Sequence, residues 1–409
     1  MFPVRFVNSS PSSSARPRVM SRLRGVAASC ALLATVGCSH FRPHPDAQYV
    51  YVIAKQSVLR DRVAAVSNRT GEVTNGEKLQ VLARDRRFVK VRTPNGTEGW
   101  LEARLTADQG IADQFEALHR AHLKDPVVAS ASARDDVYLH ISPGRETDRF
   151  FRLSEGDPIY LLKRATVPKP PAPGAAPVAQ PKMAPVVDRV KGTATIAPAA
   201  PPEPVMEDWW LVRGAQGQTG WVYSRLIDVN IPDAVARYAE GQRIVGAYVL
   251  NMVNDPDSGV LNNGQPVTEI PEYLTVVGSY KAGLPYDFDQ VRVFIWNVKK
   301  HRYETSFRER NIEGYLPVAL FKSKDPYGKG PEAALELPAF SYKVLSADAP
   351  PPQPNPSTGV VTPGKTITKT YRLEGNLCRR LLPPGTPPPA EAHPAPEPEK
   401  EKKGRHRRR

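Results

Sequence analysis

Phe88-Val89-Lys90-Val91-Arg92-Thr93-Pro94-Asn95-Gly96-Thr97-Glu98-Gly99-Trp100-Leu101 recurs without a gap as Trp209-Trp210-Leu211-Val212-Arg213-Gly214-Ala215-Gln216-Gly217-Gln218-Thr219-Gly220-Trp221-Val222. The match runs on through Arg104-Leu105 and Arg225-Leu226 at a constant offset of 121 residues. Each copy has apolar residues at alternate positions, a Gly-containing turn, and a second run opened by Gly-Trp, which is the pattern of a β-hairpin. An internal repeat fixes the unit of architecture, so the rest of the chain is read outward from it.

Upstream the repeat continues in another register. Val73, Gly76, Leu79, Val81 and Leu82 correspond to Leu153, Gly156, Ile159, Leu161 and Leu162 at an offset of 80. The two offsets differ by 41 residues, so the second copy carries an insertion of that length between Leu162 and Trp209. Residues 167–207 are crowded with Pro and Ala, including Pro168-Lys169-Pro170-Pro171. So little apolar bulk does not offset the entropy of ordering, and a disordered loop is expected.

A leading strand (Ser57-Val58-Leu59-Arg60), an apolar strand after Gly76-Glu77, the Val89-Lys90-Val91-Arg92 strand and the Gly99-Trp100-Leu101-x-x-x-Leu105 close together resemble a bacterial SH3 domain. Residues 45–106 form the first such unit and residues 134–228 the second, with His140-Ile141-Ser142-Pro143-Gly144 near its start. The resemblance implies tandem small five-stranded barrels that bind peptides or cell-wall material and usually perform no chemistry. Between them, Ile111, Phe115, Leu118 and His122 share one face of a helix, which makes residues 107–125 a linking helix stopped by Pro126.

From Ile231 the pattern changes to short β-branched and aromatic runs: Ile244 to Met252, Tyr273 to Ser279, Gln290 to Val298, Arg302 to Arg308, Gly314 to Leu320, Ala339 to Leu345 and Thr366 to Leu373. Seven runs parted by Gly, Pro and Asn indicate an all-β sandwich or barrel over residues 231–380. Residues 381–409 read as a disordered Pro-rich and basic tail ending Arg405-His406-Arg407-Arg408-Arg409. The expected fold is therefore mainly β: two SH3-like barrels joined by a helix, then a β-sandwich-like domain, with Pro-rich disordered segments.

The N-terminus supplies an address. Arg16, Arg18, Arg22 and Arg24 precede an apolar run from Gly25 to Gly37, of signal-peptide length and too short to span a bilayer. Met20 is an alternative start. The run ends Ala34-Thr35-Val36-Gly37-Cys38-Ser39, so residues 1–38 resemble a lipoprotein signal with Cys38 as the lipidated residue. Thr35 stands where that family prefers Leu; ordinary secretory cleavage nearby is the alternative. The resemblance implies export and a lipid anchor in the cell envelope facing the periplasm, with Ser39 pointing to the outer membrane. Of three cysteines, Cys30 and Cys38 fall in this region and Cys378 is alone, so disulfides do not support the fold.

The chain carries 56 Lys and Arg against 42 Asp and Glu, a net charge of +14 concentrated at its two ends. Export and the absence of an aromatic-plus-basic motif argue against nucleic acid; an anionic envelope surface or a merely solvated tail remain. No Gly-x-Ser-x-Gly elbow, His-Glu-x-x-His or calcium loop occurs, so no catalytic, cofactor or metal residue is expected. His119 and His122, three apart on the helix, lack further ligands. The expected function is non-enzymatic binding of peptidoglycan or envelope protein peptides by the barrels. The alternative is an envelope scaffold with recognition by the C-terminal domain. Candidate ligand-binding residues are Trp100, Trp209, Trp210, Trp221 and Tyr223. Adjacent Trp209 and Trp210 point to opposite faces of one strand, and Trp210 or Tyr223 is expected to line a groove.

Overall fold

The computed structural model describes residues 48–64, 66–171 and 204–395. The signal-like region with Cys38, most of the Pro-rich insertion and the last residues of the tail lie outside them. The first domain is a sheet of β1 (Tyr49–Val52), β2 (Gln56–Arg60), β3 (Arg69–Thr74), β4 (Lys78–Asp85), β5 (Phe88–Arg92), β6 (Glu98–Glu102) and β7 (Thr106–Asp108). Its strand order is β3-β2-β6-β5-β4-β1-β7. After helix α1 (Gln109–Ala121) come β8 (Ala129–Ala133), β9 (Val137–His140), β10 (Arg149–Leu153), β11 (Pro158–Pro168), β12 (Met206–Gly214), β13 (Thr219–Tyr223) and β14 (Ile227–Val229). Their order, β10-β9-β13-β12-β11-β8-β14, repeats that of the first sheet strand for strand. Each sheet thus has seven strands where the resemblance implied five.

The likeness extends to register. Val91 faces Gly99 in the first hairpin and Val212 faces Gly220 in the second. A β-bulge interrupts β4 between Val81 and Ala83, and β11 between Leu161 and Lys163. The Gly of each Gly-Trp pair has a steric role. A Cβ on Gly99 would lie 2.7 Å from the Leu59 Cβ, and one on Gly220 would lie 2.7 Å from the Leu139 Cβ. Only glycine lets the closing strand cross β2 or β9 this closely. The turn glycines Gly96 and Gly217 have φ of 84° and 87°, which a side chain would strain.

The copies diverge at one place. In the first, β4 and β5 meet in a tight turn at Arg86. In the second, β11 and β12 run on as a ladder to Pro168↔Met206, beyond which Lys169 N donates to Val205 O at 2.7 Å. Both ends of the presumed disordered insertion are therefore ordered strand; residues 172–203 fall outside the described part. The ladder persists because it has something to pack on.

That partner is the third domain: β15 (Arg243–Asn254), the small hairpin of β16 (Leu261–Asn262) and β17 (Gln265–Pro266), then β18 (Glu269–Gly278), β19 (Phe288–Asn297), β20 (Arg302–Ser323), β21 (Leu337–Leu345), β22 (Thr366–Glu374) and β23 (Leu377–Arg380). Apart from the small hairpin, these strands pair in chain order as one seven-stranded antiparallel meander. It curls on itself, so Leu274, Val276, Val293 and Ile295 share a core with Phe340, Tyr342, Val344 and Leu373. The layers of a sandwich are here the two halves of one sheet. The runs at Arg302 and Gly314, which read as separate strands, are one strand with a bulge at Asn311 (φ 57°), a residue type that tolerates this conformation. Residues 381–395, which composition assigns to the tail, lie against this domain: Ala392 N donates to Leu345 O at 2.9 Å.

Arg164 on β11 ties the ladder to the meander. Its Nε donates to Asp287 Oδ1 at 2.8 Å, its Nη2 to the carbonyls of Leu284 (2.9 Å) and Tyr286 (2.8 Å), and its Nη1 to Thr166 (3.1 Å) and Asp208 (3.3 Å). Burial opposes the charge, and the two carboxylates more than offset it. Thr166 N donates to Gly359 O (2.7 Å) and Gly283 N to Asp208 Oδ1 (3.1 Å), which completes the seam.

Two predictions follow from this geometry. Gly99→Ala and Gly220→Ala each lower unfolding stability by about 1–3 kcal/mol, the cost of overpacking, as read by urea denaturation. Asp287→Ala costs about 3–5 kcal/mol in the same titration, because it removes a carboxylate from a buried guanidinium.

Candidate ligand-binding groove between the barrels

Helix α1 starts at Asp108, whose Oδ1 accepts a hydrogen bond from Ile111 N at 3.0 Å, an N-cap. Its apolar face holds Phe115 against the open end of the second barrel, within reach of Gly220. Phe115 is fully buried and meets Phe150 (ring centroids 5.5 Å) and Phe151 (5.8 Å), while Tyr51 of the first barrel meets Phe150 edge-on at 5.6 Å. Asn75 joins the barrels from its β-turn. Its Nδ2 donates to Ile53 O (2.9 Å) and Phe150 O (3.2 Å), and its Oδ1 accepts from Arg152 N (3.0 Å).

Above this aromatic floor lies a groove of about 770 Å³. Its polar lining includes Lys55, Gln109, Asp113, Glu116, Arg152, Gln216 and Gln218. Tyr51 donates to Gln109 Oε1 (3.1 Å), Gln109 Nε2 to Asp113 Oδ1 (2.7 Å), and Gln218 Nε2 to Gln216 Oε1 (2.9 Å). Arg152 donates to Asp136 Oδ2 at 2.7 Å and stacks over Tyr138, with Lys55 also 3.6 Å from Asp136. Two polar atoms of the lining, Arg152 Nε and Gln218 Oε1, are buried without a hydrogen-bond partner, which is uncommon in a native structure. A floor of rings beneath amides and both signs of charge suits a ligand with apolar faces, amides and ionised ends.

The aromatic residues singled out from the sequence lie elsewhere. Trp210, Val212 and Val222 fill the second barrel, in the places that Val89, Val91 and Leu101 hold in the first. Trp210 is 5% exposed and lines a separate cleft of about 510 Å³ between the second barrel and the third domain. Trp209, Leu211 and Trp221 face outward and are nonetheless buried, because Leu118 of α1 and Val360 of the third domain cover them. Trp209 meets His140 edge-on at 5.2 Å and Tyr223 at 5.7 Å. Tyr223 is half-buried beneath the Arg145 guanidinium, which is itself paired with buried Glu207 at 2.7 Å. Trp100 is half-buried on the outward face of the first barrel, opposite Lys90 and Arg60. None of the five lines the inter-barrel groove. Sequence reasoning missed Phe150-Phe151, although the alternation argument used for Trp209-Trp210 applies to that pair equally.

The other candidate residues have local partners. His119 Nδ1 lies 2.9 Å from Thr219 Oγ1, and His122 Nδ1 lies 2.7 Å from Asp125. Asp255 accepts from Asp257 N within its own turn and from Trp296 Nε1. Burial raises the Cys378 thiol to about 11, partly countered by a contact with Ser306, so it is protonated at neutral pH.

Residues 59–107 match the family model described as Bacterial SH3 domain. The match lies on β2 to β7, the part of the first barrel that carries the repeated hairpin. No curated protein matches the chain. Among solved structures, that of NlpC2 from Trichomonas vaginalis is similar over 64% of this chain and 97% of its own, at 7% identity and a TM-score of 0.14. So low a score carries no argument about fold or activity.

Burial holds the His140 imidazole below its ordinary value, partly countered by Thr147. The folded state therefore binds this proton more weakly than the unfolded chain does. Its contribution to stability is complete above the unfolded value of about 6.5 and is lost as pH falls below it. Thermal unfolding from pH 7.5 to 5 shows this decline, and His140→Gln reduces its slope.

Proposed function

We propose that the chain is a non-enzymatic envelope protein whose two barrels, both SH3 domains of the bacterial type, hold peptidoglycan or an envelope peptide in the groove between them. The family match of the first barrel supports the class of ligand. For the second barrel, the same strand order, hairpin register and bulge support the same assignment. The observation that carries the reading is the groove itself, with its aromatic floor and its Gln and Asn amides. Wall peptides present amides, carboxylates and amines, and such groups are matched by Gln109, Gln218, Arg152 and Glu116 in kind.

Export and anchoring through a lipid on Cys38, facing the periplasm, belong to the same proposal. They are supported by the basic-then-apolar run ending at Gly37-Cys38. A tethered binder with a basic surface would sit between an anionic membrane and the wall, where charge favours encounter and the groove supplies selectivity.

The test is co-sedimentation of the protein with insoluble peptidoglycan at rising salt. Groove binding survives moderate salt, and Gln109→Ala with Arg152→Ala weakens it at least fivefold, while Trp100→Ala on the outward face leaves it unchanged. Binding that vanishes with modest salt would reduce the interaction to charge alone.

A further inference from the structure

Where β20 bulges at Asn311, it leaves the side of β21. The two strands pair through Gly314↔Val344, and beyond that point Leu345, Ser346 and Ala347 have no β20 partner. Residues 390–392 take the vacated place: Ala392 N donates to Leu345 O (2.9 Å), Ala347 N donates to Ala390 O (3.1 Å), and Ser346 forms a β-bridge with Glu391. His393 Nδ1 lies 2.7 Å from Asn311 O, at the bulge itself.

Alternation turns Glu391 toward the inside of the curled sheet, where both its oxygens meet Lys369 Nζ at 2.8 and 2.9 Å. The Lys369 side chain is 1% exposed. It also donates to Glu309, which in turn accepts from the hydroxyls of Tyr342 and Tyr371. Glu309 already balances the buried ammonium. A three-donor head group then has hydrogens left over, and they are directed at a second carboxylate. Without Glu391 the lysine and its partners would remain in place, so the receiving end is built in advance.

The segment that fills it is lightly attached. Pro383, Pro384, Pro387, Pro388 and Pro389 lack backbone donors, and among the described residues none from 382 to 389 makes a backbone hydrogen bond to the domain. Attachment is concentrated at 390–393, a short element of the kind that opens locally at low free-energy cost. We propose that this end of the third domain is a binding site for an extended acidic peptide, which enters as an added strand beside Leu345–Ala347 and sets a carboxylate on Lys369. Residues 390–393 occupy that site in cis and hold it shut. Strand addition supplies affinity through the main chain, and the single buried lysine supplies selectivity for Glu at the middle position. A tethered segment is present at millimolar effective concentration, so the closed form dominates until a competitor of comparable local concentration arrives. The proposal is independent of the inter-barrel groove.

The test uses the full chain and a fluorescent decapeptide with the sequence of residues 386–395, in a Glu and a Gln version. Glu391→Gln in the chain loosens the strap, so this variant binds the Glu peptide at least tenfold more tightly than the native chain does, and the Gln peptide at least tenfold more weakly. Amide exchange at Ala347 and Ala392 becomes at least tenfold faster in the same variant. If the variant binds neither peptide, or both equally, no carboxylate site exists. If exchange at these amides is unchanged, the strap is a fixed part of the fold and the proposal fails. Lys369→Met should abolish binding; because that change can also unfold the domain, the Glu and Gln peptides on the Glu391→Gln chain carry the comparison without it.

Discussion

Everything downstream of the first barrel depends on how one buried arginine is satisfied. Arg164 is removed from water together with Asp208 and Asp287, and its five donors find two carboxylates, a hydroxyl and two carbonyls. A charge so placed tolerates no vacancy among its partners. Those partners come from β12, from β19's approach and from the loop before it, so the arginine folds correctly only when the second barrel and the third domain are docked. Burial holds the Arg243 guanidinium on β15 below its ordinary value, and Asp208 and Asp287 oppose that shift. The specificity of the seam is thus electrostatic, while its area is apolar: Trp209, Ala165 and Val360 close over one another beside it.

This seam explains why two sheets of identical strand order have different surfaces. In the first barrel the outward positions of β5 and β6 are Phe88, Lys90 and Trp100, half-buried and bordered by charge. In the second the same positions are Trp209, Leu211 and Trp221, and α1 and the third domain cover them. The longer β11–β12 ladder is part of the same difference, since Thr166 and Val167 at its far end are what Gly359 packs upon. The second barrel has become a hub, packed on its outer face and plugged at one end by Phe115.

Much of this was legible in the sequence, and the limits have physical causes. The repeat marked the two stretches that form sheets of like strand order with their turn glycines, and the helical period between them marked α1, because local pattern and pairing there coincide. Which of Trp209 and Trp210 enters the core was also readable: the offset of 121 places Trp210 on Val89. What pattern does not contain is the cover. An outward Trp is a ligand contact or a buried seam according to a loop 151 residues away, and nothing near Trp209 records Val360. The groove was hidden for the same reason, since Tyr51, Asn75, Gln109, Phe150 and Gln218 meet only when two barrels and a helix are assembled. Composition misled at residues 381–395. Proline content describes how little a segment folds alone, not whether a neighbouring strand leaves a place for it.

Asn311 shows how much a single backbone choice can carry. Read as a break, Arg310-Asn311-Ile312 divides two strands; as a left-handed bulge it keeps one strand continuous while swinging it off β21. The continuous strand keeps Glu309 and Ile312 in the interior, where Glu309 meets Lys369 and both tyrosines. The swing exposes the edge of Leu345–Ala347, and an exposed edge is a template for pairing that a fold must cover. A short acidic strap does so with a carboxylate the interior can receive. The bulge, the buried lysine and the strap are therefore one arrangement, in which an unpaired edge produced by a local kink is covered by residues 390–392 rather than by another strand of the sheet.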